Sequence, residues 1–284
     1  MDPVSNFIKS WKVPVGPWGK TLMDFIVTYF QWLFDALKVS LNFVVDWTTF
    51  GLLAVPPVLL ALAIAGFAYW LQRSWRLALG VFIGLLFIIN QGLWKETVQT
   101  LVLVVGATAL SMAMGVPLGI WAAHKARVWR VTQPILDLMQ TMPTFVYLIP
   151  ILILFGLGAA PALIVTITFA MPAPVRMTYL GITSIPRPMI EAGEAFGATK
   201  RQLLWKVELP AAMPSIMAGL TQCIMLSLSM VVFATLIGAP SLGNPVFKAL
   251  SNRNIPLGIE AGLAIVVLAI ILDRMLAVKA GARR

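Results

Sequence analysis

The sequence predicts an all-α, polytopic membrane protein, and three observations carry that prediction. Of its 284 residues, 60% are hydrophobic and 11% charged, too few polar side chains to cover a soluble domain. Apolar runs near 51–71, 76–93, 98–122, 134–157, 161–181, 211–238 and 258–277 give about seven spans. The basic residues sort between alternate connections. Arg73, Arg76, Lys125, Arg127, Arg130, Arg187, Lys200, Arg201, Lys206, Arg274, Lys279, Arg283 and Arg284 fall on one side, against Lys95, Lys248 and Arg253 on the other. That bias predicts a cytoplasmic C-terminus and an external N-terminus, so the net charge of +10 reports topology and not a nucleic-acid partner.

The first residues, MDPVSNFIKSWKVP, lack a basic region leading into an apolar core with a cleavage site, so insertion is expected to use the spans themselves. Lys9, Lys12, Lys20 and Lys38 in the N-terminal region are balanced by Asp2, Asp24, Asp35 and Asp46. Over residues 21–50, Asp24, Thr28, Gln31, Asp35, Lys38, Asn42 and Asp46 recur every three or four positions, opposite Phe25, Tyr29, Trp32, Phe34, Leu37 and Leu41. The pattern predicts an amphipathic helix in the outer interface, anchored by Trp18, Trp32 and Trp47; the alternative is a span whose polar stripe faces the protein interior. The first span is expected to begin near Gly51 and Pro56-Pro57. The chain thus divides into a tail and interfacial helix (1–50), two peripheral spans (51–93) and a core (94–284).

Within the core, Pro117 between Gly115 and Gly119, then Pro143 and Pro150, each remove a helix hydrogen bond and predict irregular backbone. Asp137, Gln140, Thr141 and Thr144 around Pro143 are polar enough to line a water-filled path, as are Ser227 and Ser229 with Met230. The same residue types also serve plain helix packing in bilayers. Arg176, after Pro172 and Pro174, reads as a snorkelling anchor at the cytoplasmic end of its span in preference to a substrate ligand.

Residues 182–210 interrupt the apolar pattern. Arg187, Glu191, Glu194, Lys200, Arg201, Lys206 and Glu208, at roughly 3 kcal/mol each, would cost about 20 kcal/mol to place at a membrane centre, so this stretch does not span. Ala192, Gly193, Ala195, Gly197 and Ala198 give a short helix so slender that a partner's backbone can approach, with Gly197 free to turn the chain. A second amphipathic helix with Leu203, Leu204 and Val207 on one side is expected to stop near Pro210.

Catalytic chemistry finds no support. His124 is the single histidine and falls beside Lys125 at an expected membrane boundary, which argues against His-dependent triads and metal clusters, and no G-x-x-x-x-G-K-[ST] phosphate loop occurs. Any energy from ATP must therefore come through another chain. Cys223, the single cysteine, lies in an apolar run and reads as a small packing residue.

The segment EAGEAFGATKRQLLWKVELP (191–210) resembles the coupling loop of an ATP-binding-cassette importer permease, with Glu191, Ala192, Gly193, Gly197, Ala198, Leu209 and Pro210 in the motif positions. VPLGIWAAH, QTMPTFVYLIPILILFGLG, LPAAMPSIMAGL and LAIILDR extend the resemblance, over about two-thirds of the chain, to permeases for glycine betaine, proline betaine and choline. Gly193 stands where the general motif often has Ala, and Ala239-Pro240-Ser241-Leu242-Gly243 where a more Gly-rich run is expected. The resemblance implies a type I importer transmembrane domain in the bacterial inner membrane, working as a pair of permease copies. It implies an ATP-binding-cassette ATPase dimer inside, an extracytoplasmic substrate-binding protein outside, and no metal or other cofactor on this chain. The sequence shows no clear aromatic cage for a quaternary ammonium between 98 and 238, which places selectivity mainly in the binding protein. A permease for another small solute such as an amino acid, an ion-coupled secondary transporter using Asp137 or Glu260, and a membrane scaffold are the other readings.

Overall fold

The computed structural model describes residues 13–276, and these are helical with no strand among them. Lys9, Lys12, Lys279, Arg283 and Arg284 of the charge argument lie outside the described residues. The chain opens with one 40-residue helix, α1 (Val15–Ala54), which ends at Val55-Pro56 because neither Pro56 nor Pro57 can donate a backbone hydrogen bond. Pro57 is at home in the first turn of α2 (Pro57–Gln72), which leaves α1 at an angle of 106°. The interfacial helix expected over 21–50 is thus longer at both ends, and the following helix begins at 57, not 51.

α2 and α3 (Trp75–Asn90) form a hairpin, each 16 residues long and so about 24 Å, short of the roughly 30 Å hydrocarbon core. The core follows. It comprises α4 (Trp94–His124), α5 (Ala126–Thr141), α6 (Thr144–Phe155), α7 (Ala159–Ala170) and α8 (Pro172–Thr183). After these come α9 (Arg187–Ala195), α10 (Lys200–Leu203), α11 (Leu209–Ala234), α12 (Gly243–Ser251) and α13 (Ile255–Leu276). Among the described residues four stretches are long and apolar enough to cross a membrane, Trp94–His124, Ala159–Thr183, Lys200–Ile237 and Ile255–Leu276, or up to six if each bent helix pair counts as one. The seven runs read from the sequence divide differently because length in residues does not reveal the bends.

The prolines do not all act as expected. Pro117 and Pro150 stay inside α4 and α6, whereas at Met142-Pro143 the backbone turns extended and α6 departs from α5 at 101°. Around Pro117 the helix is held by its neighbour. A methyl on Gly119 would lie 2.7 Å from the Val175 carbonyl oxygen, and one on Gly115 would lie 2.8 Å from Pro174, so α4 and α8 meet backbone to backbone. These glycines are required for packing and not for irregular geometry.

Among the described residues three apolar clusters result. Leu60, Leu85, Ile88, Val98 and Leu268 join the α2–α3 hairpin to α4 and α13; Val102, Tyr147, Leu163 and Met230 join α4, α6, α7 and α11; Ile182, Ala212 and Ile216 close the end next to the charged segment. α1 is fastened to the second cluster by the edge contact of Phe34 with Phe155, and the Asn42 side-chain oxygen accepts from the Ala160 backbone N–H at 2.9 Å.

Candidate coupling segment and translocation path

The segment between α8 and α11 folds as a helical hairpin whose turn is written in its residues. Gly197 adopts φ +76° just past α9, the left-handed conformation that glycine takes without penalty, and its N–H donates to Glu194 O at 2.8 Å. Thr199 and Gln202 form a capping box, with the Thr199 N–H donating to Gln202 Oε1 at 2.8 Å and the Gln202 N–H to Thr199 Oγ1 at 3.4 Å. From Lys200 the chain stays helical to Ile237. The expected stop near Pro210 does not occur: a π-helical turn over Leu204–Glu208 leads into α11, and Pro210, which has no N–H to donate, follows directly on that wider turn.

The small residues serve two different surfaces. A methyl on Gly193 would lie 2.7 Å from Leu203 Cδ1 and 3.6 Å from Val207 Cγ2, so Gly193 admits the chain's own returning helix. Glu191, Ala192, Gly197 and Pro210 face outward, Ala198 and Leu209 are half-buried, and Leu209 joins the cluster beneath. The outward tip carries Phe196, 93% exposed and missed in the sequence reading because an aromatic in a small-residue loop has no periodic signal.

Behind the hairpin the π turn aims Glu208 inward, its side chain 7% exposed, at His124 Nε2, 2.9 Å away at the end of α4. His124 Nδ1 lies 2.8 Å from Ile120 O. A neutral imidazole has one N–H, so both contacts close when the ring carries two protons or when Glu208 carries one. This latch between α4 and the segment joins residues 84 positions apart, and sequence spacing could not show it.

The polar residues assigned to a path separate into two groups. Gln140, Thr141 and Pro143 are exposed at the α5–α6 break, Thr144 is half-buried beside them, and Ser229 is exposed on α11 while bonding Met225 O at 3.0 Å. Ser227 and Met230 are fully buried; Ser227 stands with Thr108 and Ser111 of α4 around the Cys223 thiol, which is itself buried as a packing residue should be. Arg176, expected as a snorkelling anchor, has a partner within the chain. Its guanidinium pairs with Asp137 across α5 and α8, with side chains 35% and 50% exposed, and one turn away Trp129 stacks on Tyr179 at 3.6 Å. The Tyr147 hydroxyl donates to Met139 O across the break, so α5 and α6 are tied despite their angle.

Residues 115–279 match the family model described as binding-protein-dependent transport system inner membrane component, a match that takes in α5 through α13 and the helical hairpin. The chain belongs to that family. It is 44% identical over 264 residues to the glycine betaine transport system permease protein OpuAB of Bacillus subtilis (strain 168), covering 93% of both chains. It is 42% identical over 266 residues to the glycine betaine/carnitine transport permease protein GbuB of Listeria monocytogenes serotype 1/2a (strain 10403S), covering 93% of this chain and 94% of that one. The glycine betaine/proline betaine transport system permease protein ProW of Escherichia coli (strain K12) shares 40% over 264 residues, 93% of this chain and 74% of its own. An inward-facing structure of the MetNI methionine ABC transporter superposes with TM-score 0.58 at 22% identity, covering 66% of this chain and 94% of that chain, which shows a common fold. The resemblance to betaine permeases read from the sequence is thereby borne out, as is the type I importer architecture. Permeases of this family work with an ATPase and a substrate-binding protein, and the chain is a multi-pass inner-membrane protein.

Proposed function

We propose that this chain is the membrane-spanning subunit of an ATP-driven, binding-protein-dependent importer for glycine betaine or a related quaternary ammonium osmolyte such as choline or proline betaine. The observation that carries the reading is 40–44% identity to betaine permeases over 93% of the chain. Two copies enclose the path, each docking a separate ATPase subunit, which hydrolyses the ATP, on the outward tip formed by Glu191, Ala192, Phe196 and Gly197. The hairpin, the His124–Glu208 latch and the C-terminus lie in the cytoplasm, and α1 lies along the outer surface.

A physical argument assigns the path to one face. A half-exposed ion pair in a membrane-spanning segment is expensive against lipid, so Asp137 and Arg176 face water or the second copy. Gln140, Thr141 and Thr144 continue that face, with Ser229 from α11. Ser227 and Met230 support it from behind through the α4–α11 contact. Of the two acidic residues an ion-coupled secondary transporter could use, Asp137 is committed to Arg176, and Glu260 is half-buried on α13.

Selectivity sits in the binding protein. Exchanging the binding protein for a docking-competent relative with another betaine preference is expected to change which solute enters reconstituted vesicles, while Thr141→Ala changes the rates for glycine betaine, choline and proline betaine about equally, because a path visited in passing needs weak contacts. An inverted preference in Thr141→Ala with the original binding protein would place a selective site in this chain.

A further inference from the structure

A crevice of about 630 Å³ runs between α1, α2, α4 and α13, outside the path and the hairpin. Along α4 it extends from Trp94 to Leu110, which at 1.5 Å per residue is about 24 Å. Its wall is aliphatic and aromatic, with Leu52, Phe67, Val98, Leu101 and Leu272 among the residues that form it. The two wall threonines spend their hydroxyls on their own helices, Thr48 on Val44 O at 2.6 Å and Thr97 on Leu93 O at 2.8 Å. The Trp94 indole N–H lacks an acceptor, and one donor does not make a site for a polar solute. Water does not persist in an apolar space of this size, and left empty it would forfeit the contacts of its whole lining.

The crevice is not sealed. Val44, Phe67 and Val105 in its wall are 59%, 52% and 51% exposed, so it opens sideways. One end has a charge signature. Met275 and Leu276 form the wall there, and the Gln72 side chain donates to Met275 O at 2.8 Å, drawing the ends of α2 and α13 together. Arg73 follows Gln72, Arg76 is the second residue of α3, and Arg274, 4.0 Å from Asp273, precedes Met275; all three residues are exposed.

We propose that this crevice binds a membrane phospholipid, with an acyl chain lying along α4 and the phosphate taken by Arg73, Arg76 and Arg274. A narrow apolar slot open to the bilayer with cations at one mouth matches the two halves of that molecule, and guanidinium forks suit phosphate oxygens. The lipid braces the α2–α3 hairpin against the core, filling a gap that the chain's own described side chains leave. This site is independent of the transported solute.

The test uses the full-length chain, reconstituted in vesicles of palmitoyl-oleoyl-phosphatidylglycerol, extracted in mild detergent and examined by native mass spectrometry. The wild-type chain is expected to retain a phospholipid through detergent washes. Ala109→Trp, which fills the crevice from α4, is expected to lose it. Arg73→Ala/Arg76→Ala/Arg274→Ala, which leaves the apolar wall untouched and so keeps a folded control, is expected to weaken retention by about tenfold, the equivalent of about 1.4 kcal/mol. Unchanged retention in either folded variant would overturn the proposal. So would loss of a dimer in Ala109→Trp without any change in bound lipid, since that would make the crevice a contact between copies of the chain.

Discussion

Phe196→Ala is expected to leave the permease folded and inserted, yet to weaken its association with the ATPase by roughly 30-fold, the effect of losing about 2 kcal/mol from an aromatic anchor at the centre of an interface. Such a side chain, 93% exposed at the tip of a capped turn, has no role in the chain's own packing and is free to anchor a partner. Gly193→Trp should behave differently. Its side chain would meet Leu203 Cδ1 before any partner, so α9 and α10 must separate at a cost of about 2–3 kcal/mol within this chain. Thermal unfolding of each purified variant, together with pull-down of the ATPase, separates the two effects. A Phe196→Ala variant with undiminished ATPase binding and transport would remove the tip from the interface. A Gly193→Trp variant as stable as the parent would show that the two helices are not held at the spacing described.

Breaking the Arg176–Asp137 pair should have the next largest effect. Asp137→Ala leaves a cation in a span without its counter-charge, and Arg176→Ala leaves an anion. Fully buried pairs lose 3–5 kcal/mol when one partner is removed, and exposed ones 0.2–1; with both side chains partly open, about 1–2 kcal/mol is expected here. Uptake should fall about tenfold in either single variant. Exchanging the two, Asp137→Arg with Arg176→Asp, should recover most of that loss if the attraction between α5 and α8 is what matters. Equal loss in the exchanged pair would mean that one of the charges acts separately, on the solute or on the second copy.

Helix content and the non-spanning segment were legible in the sequence because both follow from local counts: apolar run length, the cost of seven charges, a glycine where the chain must reverse. The bends were not. Pro117, Pro143 and Pro150 each remove one hydrogen bond, and whether the helix continues is decided by what packs beside it. At Pro117, α8 lies against the helix, with the Pro174 ring at Gly115 and the Val175 carbonyl at Gly119; at Met142-Pro143 the backbone turns extended and α6 leaves α5 at 101°. The smallness of Gly193 was legible, but the direction it faces depends on α10 and emerges once the hairpin is folded. His124 is a residue that composition argues away, since one imidazole makes no metal site; its meeting with Glu208 needs the π turn, an extra residue per turn that no periodicity announces. Ser227 and Ser229 look alike in sequence, and two residues of helical rotation put one in the core and one on the surface.

The most direct test of the account is uptake of labelled glycine betaine into vesicles holding this permease and its ATPase, with the binding protein outside and ATP supplied either inside or outside. Accumulation is expected to require the binding protein and ATP on the side to which a cysteine label at Thr199 is accessible, and to disappear when either is withheld. Accumulation driven by an ion gradient without ATP, or equal uptake without the binding protein, would contradict it.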